Sequence, residues 1–182
     1  MAKRYASLFT SDPQSPDDTV VDSTSRQPYR LLLVDDEPNI LAALKRVFKR
    51  ENYELLFARN GAEALKILEE QSVELIMTDF MMPGMNGSEL LRTVREHWPQ
   101  TIRIMLTGHA NTDAVMGSIK DGAVYRFILK PWNDDDLRLT IALALEQYEL
   151  IQKNRKLEQQ NQKQSKDLET VAKLGATNRS QL

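Results

Sequence analysis

The feature that most constrains this chain is a set of short apolar runs, most of them cut off by polar residues of defined chemistry. Leu31-Leu32-Leu33-Val34 stops at Asp35-Asp36, and the run from Val73 to Thr78 stops at Asp79. Ile102 to Leu106 stops at Thr107, and about Val124 to Leu129 stops at Lys130-Pro131. One further run, Tyr53 to Ala58, falls between the first two. Runs this short and this continuous read as strands buried on both faces.

Helical patterns separate them. Pro38 stands at a helix-opening position, and Ile40, Leu41, Leu44, Val47 and Phe48 follow at helical spacing. Asn60-Gly61 opens a helix carrying Ala64, Leu65 and Leu68, and Leu90, Leu91 and Val94 mark another. A weaker helix is expected from about Thr112 to Lys120, closed by Asp121-Gly122. Strands alternating with helices make βαβ units and a mostly parallel sheet covered on both faces. The expected fold is α/β: a flavodoxin-like, doubly wound five-stranded parallel sheet of order 2-1-3-4-5.

In such sheets ligands bind outside the carboxyl ends of the strands, near the point where strand order reverses. Asp35, Asp36, Asp79, Thr107 and Lys130 all fall there. One Asp after a strand often only caps the next helix, but five residues of complementary chemistry at strand ends make a site. Crowded carboxylates repel one another unless a cation intervenes. Oxygen donors suit a hard ion, and Mg²⁺ keeps waters and shares its shell with phosphoryl groups. The Lys130 ammonium can neutralise phosphoryl oxygens, Thr107 can hydrogen-bond one, and a carboxylate can act as nucleophile to form an acyl phosphate.

The segments LLLVDDEP (31–38), LIMTDFMMPGMNG (75–87), IMLTGHA (104–110) and FILKPW (127–132) together resemble the receiver domain of bacterial two-component response regulators. The resemblance implies that Asp79 is the phosphoacceptor, and that Asp35, Asp36, Asp79 and the main-chain carbonyl of Met81 hold Mg²⁺. It implies that Thr107 is the phosphate-sensing hydroxyl, Lys130 the phosphate-binding lysine and Phe127 the switch aromatic, with Lys130–Pro131 a candidate cis bond. Tyr is common at the Phe127 position, and the Gly122-to-Lys130 stretch is one residue longer than the usual spacing. The Lys-Pro-Trp motif resembles the subgroup carrying HD-GYP or AAA+ output domains. The implied phosphoryl donor is a sensor histidine kinase or phosphotransfer protein.

Other chemistries fit less well. A phosphatase using an aspartate nucleophile wants an acid two residues on, where this chain has Met81. A flavodoxin wants a neutral phosphate loop where Asp35-Asp36-Glu37 stands. The chain is therefore read as a switch and not a turnover enzyme. His97 and His109 have no second nitrogen ligand at metal spacing, and Met81, Met82 and Met85 read as loop packing. With no cysteine there is no disulfide, thiolate catalysis or Cys-ligated zinc. A net charge of −2 gives no footprint for nucleic acid or acidic lipid, and no apolar run is long enough for a membrane span. A cytoplasmic protein is expected.

Residues 1–28 hold too few apolar side chains to offset their ordering entropy and read as a disordered tail. A receiver unit is expected over 29–145 and a helical extension over 146–182. Asn133 is a good helix cap, followed by Asp134, Asp135 and Asp136, and neither Pro nor Gly interrupts the helix until Gly175. Leu143, Leu150, Leu157, Gln164 and Val171 recur every seventh residue, with Gln147, Asn154, Asn161 and Leu168 interleaved. This is a coiled-coil seam with Asn at two core positions, which favours a defined register in a parallel pair. A homodimer through this helix is expected, with phosphorylation read out on the face formed by the 112–120 helix, the last strand and the C-terminal helix. The alternative is a truncated regulator whose output, a cyclic-dinucleotide phosphodiesterase or a DNA-binding domain, followed Leu182.

Overall fold

The computed structural model describes residues 27–108 and 122–179. Most of the expected N-terminal tail, the helix expected over 112–120 and His109 lie outside these residues. The described elements run β1 (Tyr29–Val34), α1 (Pro38–Val47), β2 (Tyr53–Ala58), α2 (Gly61–Glu70), β3 (Leu75–Asp79), α3 (Gly87–His97), β4 (Ile102–Thr107), β5 (Arg126–Leu129) and a C-terminal helix α4 (Asp134–Arg179). The strands form one sheet of order β2-β1-β3-β4-β5, and every pairing is parallel. This is the doubly wound topology that the alternating pattern implies.

Each apolar run feeds two cores, because successive strand residues project to opposite faces. Leu31, Leu33, Met77, Ile104 and Leu106 join α1 and the C-terminal helix, through Leu41, Leu44, Ile141 and Ala144, on one face. Leu32, Val34, Ile76 and Met105 join α2 and α3, through Ala64, Leu68, Leu90 and Val94, on the other. Trp132 packs at the rim of the first core and Phe127 at the rim of the second.

Some boundaries differ from the apolar pattern. β1 starts at Tyr29 because Tyr29 and Arg30 pair in register with Tyr53 and Glu54; pairing, not apolarity, extends it. Val73 is buried yet precedes β3, whose ladder begins at Leu75 against Leu31. Val124 is likewise buried ahead of β5, which begins at Arg126. The C-terminal helix opens as expected, with Asn133 Oδ1 accepting from the Asp135 and Asp136 N–H groups at 2.8 and 3.1 Å. It then continues through Gly175 to Arg179. No helix among the described residues is long and apolar enough to cross a membrane.

The start of α3 is fixed by a reciprocal cap. Asn86 Oδ1 accepts from the Glu89 N–H at 3.0 Å, and Glu89 Oε2 accepts from the Asn86 N–H at 3.1 Å. Two otherwise orphaned donors are thereby satisfied. Asn86→Ala is expected to lower stability by about 1 kcal/mol, seen as a lower urea midpoint with an unchanged slope.

Candidate functional site

Four adjacent strands deliver the site. β1 and β3 are neighbours and β4 links β3 to β5, so Asp35, Asp79, Thr107 and Lys130 emerge at one edge of the sheet. The main chain sets their relative heights. The Phe80 N–H donates to the Leu106 carbonyl at 2.9 Å, and the Lys130 N–H donates to the Thr107 carbonyl at 2.8 Å. The Lys130–Pro131 bond is cis.

The Lys130 ammonium lies between two carboxylates, 2.9 Å from Asp35 Oδ2 and 2.6 Å from Asp79 Oδ1. Both aspartates are buried. Each gives its other oxygen to the backbone N–H two residues along. Asp35 Oδ1 accepts from Glu37 at 2.9 Å, and Asp79 Oδ2 accepts from Met81 at 2.7 Å. The two carboxylates are thus held in the same manner, by one local N–H and one shared cation. Charge-assisted bonds of this type orient a carboxylate more firmly than neutral ones.

Burial pushes the Asp35 carboxyl above its ordinary value; bonds to Lys130 and the Glu37 N–H offset this in part, and Asp79 adds to it. Burial pulls the Lys130 ammonium down, but its bonds to Asp79 and Asp35 outweigh that and the group is raised overall. Lys130 therefore stays charged across the physiological range.

Thr107 is buried, and its hydroxyl donates to the Gly108 carbonyl at 3.1 Å. Asp36 is only part exposed, unlike its buried neighbour. Among the described residues no three His, Cys, Asp or Glu side chains gather closely enough to hold a metal by themselves. Two buried carboxylates against one ammonium nevertheless leave a net negative, oxygen-only pocket. That donor set fits Mg²⁺, which takes one or two carboxylates and completes its shell with water and phosphate. Phe127 is half-buried, His97 is exposed with Nδ1 3.1 Å from the Thr93 carbonyl, and Met81 is 64% exposed.

Gly87 belongs to the site although no catalytic pattern singles it out. A Cβ there would lie 2.1 Å from the Asp79 carbonyl oxygen and 3.0 Å from Phe80 Cα. Its N–H donates to the Phe80 carbonyl at 3.0 Å. Only glycine lets α3 start this close to the end of β3. Gly84 serves a different need in the same loop, a φ of +78° after Pro83, where a side chain would be strained. The readable signal for Gly87 was its place just inside the Asn86–Glu89 cap, which fixes the helix start but not the close approach.

Comparison with known proteins gives this geometry a family. The model of the response regulator receiver domain matches residues 31–142. The chain belongs to that family. Receiver relatives include the hydrogenase transcriptional regulatory protein HoxA of Bradyrhizobium diazoefficiens, 36% identical over 120 residues, covering 66% of this chain and 24% of the relative. The transcriptional regulatory protein GlrR of Escherichia coli is 35% identical over 123 residues, covering 68% of this chain and 28% of the relative. The chain spans about a quarter of the length of these curated relatives. Among solved structures, the signal receiver domain of an HD domain-containing protein from Pseudomonas fluorescens superposes with a TM-score of 0.68 at 33% identity, over 72% of this chain and 96% of that one. A CheY-like receiver domain protein from Methanospirillum hungatei superposes at 0.63 with 32% identity, over 67% and 97%.

Two outcomes are expected of this receiver. Gly87→Ala forces the α3 start away from the Asp79 backbone; overpacking of this kind costs about 1–3 kcal/mol, and the loss appears as a lowered Tm. Asp35→Asn acts in the opposite sense. The folded state binds a proton at Asp35 more readily than the unfolded chain, so this group favours folding at low pH and opposes it once ionised. In buffer without divalent cation, Asp35→Asn raises Tm at pH 7, and the gain fades as pH falls through the raised folded value towards 3.8.

Proposed function

We propose that this receiver is a phosphorylation-controlled switch in which Asp79 takes a phosphoryl group from a histidine on a sensor kinase or phosphotransfer protein. The observation that carries the reading is the Lys130 ammonium held between buried Asp35 and Asp79 at the carboxyl ends of β1, β3 and β5. An Asp79 carboxylate oxygen attacks phosphorus, the phosphorus–nitrogen bond to the donor imidazole breaks, and an acyl phosphate remains. Such a transfer needs positioning and charge neutralisation more than covalent help. Lys130 moves from a carboxylate partner to a phosphoryl oxygen, and the Thr107 hydroxyl leaves the Gly108 carbonyl to donate to another. Asp35, Asp36, Asp79 and the Met81 carbonyl would hold Mg²⁺, which supplies positive charge against the carboxylates and the transferred group.

Two residues from the acceptor stands Met81, which has no proton to give. Lacking a general acid there, the acyl phosphate is held and not rapidly turned over. Movement of Thr107 frees space for the Phe127 ring, which sits on β5 two strand positions before Leu129, the pairing partner of Thr107. The signal passes along the face of β5 and the C-terminal helix. In this reading residues 29–145 are the receiver, 146–182 a helical extension that pairs two copies, and 1–28 a disordered tail, the whole working in the cytoplasm.

Incubation with acetyl phosphate and Mg²⁺ is expected to add one phosphoryl mass to the wild type and none to Asp79→Asn. Labelling of the Asp79→Asn variant, at an undiminished level, would overturn the assignment.

A further inference from the structure

The C-terminal helix carries two stripes, and only one of them is used by the receiver. Leu137, Ile141, Ala144 and Leu145 are buried in the sheet's first core, with Tyr148 packed beside them. The contacts continue outward through Tyr29, whose hydroxyl donates to Glu149, and through Gln152, whose Nε2 donates to Gln100 Oε1. At roughly 100° per residue, these side chains lie on one side of the helix. Leu139, Leu143, Leu150 and Leu157 fall roughly 160–200° around from Ile141 on the same count, directly opposite the receiver. They are 59, 48, 49 and 56% exposed. Five of the eight large apolar side chains exposed among the described residues lie on this one helix.

Charge decides what covers this stripe. With Leu143, Leu150 and Leu157 as one core position and Gln147, Asn154 and Asn161 as the other, Lys153 stands just before Asn154, and Glu158 just after Leu157. These are the two flanking positions that face each other across a parallel, in-register pair of helices. An antiparallel pair instead sets like flanking positions together, so Lys153 would not meet Glu158. Both residues are exposed, and neither forms a salt bridge among the described contacts. Asn154 and Asn161, also exposed, are the residue type that fixes register in a two-stranded coil.

We infer that a second copy of this chain docks on the Leu139–Leu157 stripe in a parallel, in-register coil, tied by Lys153 to the second copy's Glu158 and by the symmetric pair. This rests on the homodimer proposed above and on the parallel pairing that its Asn positions favour, and adds the face of the helix that pairs, the ion pair that ties it and its starting point within the receiver. The two receivers then flank the coil on its outer sides.

The test uses the full chain. Light scattering at tens of micromolar is expected to give twice the monomer mass. Because the sequence has no cysteine, Leu143→Cys and Leu157→Cys each introduce a single thiol, and both variants are expected to form disulfide-linked dimers under mild oxidation. An antiparallel pair can bring at most one of these positions against itself. Lys153→Glu and Glu158→Lys singly weaken dimerisation roughly tenfold, as attraction turns to repulsion, and the double variant recovers it. A monomeric wild type overturns the dimer itself. A dimer in which one or both cysteine variants fail to self-link, or in which the double reversal does not recover, overturns the parallel register and leaves dimerisation standing.

Discussion

The rest of the structure depends on one half-buried ammonium held between two buried carboxylates. Asp35 and Asp79 leave water at the ends of β1 and β3; burial pushes the Asp35 carboxyl above its ordinary value, and a neighbouring cation works against that push. Lys130 supplies that cation from the end of β5, two strands from β3 and three from β1, which requires β4 to hold β5 in register through the bond from the Lys130 N–H to the Thr107 carbonyl. Sheet order, register and charge are therefore one constraint. The balance is also incomplete: one ammonium faces two carboxylates, and the Mg²⁺ proposed for this site would supply the missing positive charge.

Much of this was legible because parallel strands converge at their carboxyl ends. Once the apolar runs are paired with intervening helices, the residues that stop them must come together; Asp35, Asp79 and Lys130 do so through their side chains, and Thr107 meets Lys130 through its backbone carbonyl. Strand order followed from the same alternation. The hidden part was backbone geometry. Nothing in a pattern of apolar and polar letters distinguishes Gly87, which is needed for close approach, from Gly84, which is needed for a positive φ. Nor does it reveal that Asp35 and Asp79 each lean on the N–H two residues ahead. Asp35 and Asp36 also look equivalent in sequence, while the fold buries the first and leaves the second part exposed.

The C-terminal helix shows how far periodicity reaches. Its start was marked by Asn133, and its length by the scarcity of breakers. Gly175 looked like a stop, but a single glycine costs a helix only about 1 kcal/mol, and the helix passes through it. The heptad letters alone do not say which way the leucine stripe faces. The position of Ile141 in the core settles that, because it commits one side of the helix to the sheet and leaves the leucines on the other.

Met81 separates two properties that are often entangled. Its N–H holds the Asp79 carboxylate in place, and that bond is indifferent to which side chain the residue bears. The side chain itself stands largely in solvent at the mouth of the pocket. If Asp79 is the acceptor proposed above, substitution at this position would reset how long the modification survives without moving the atom that carries it, a dial on signal duration that leaves the acceptor's backbone anchor untouched.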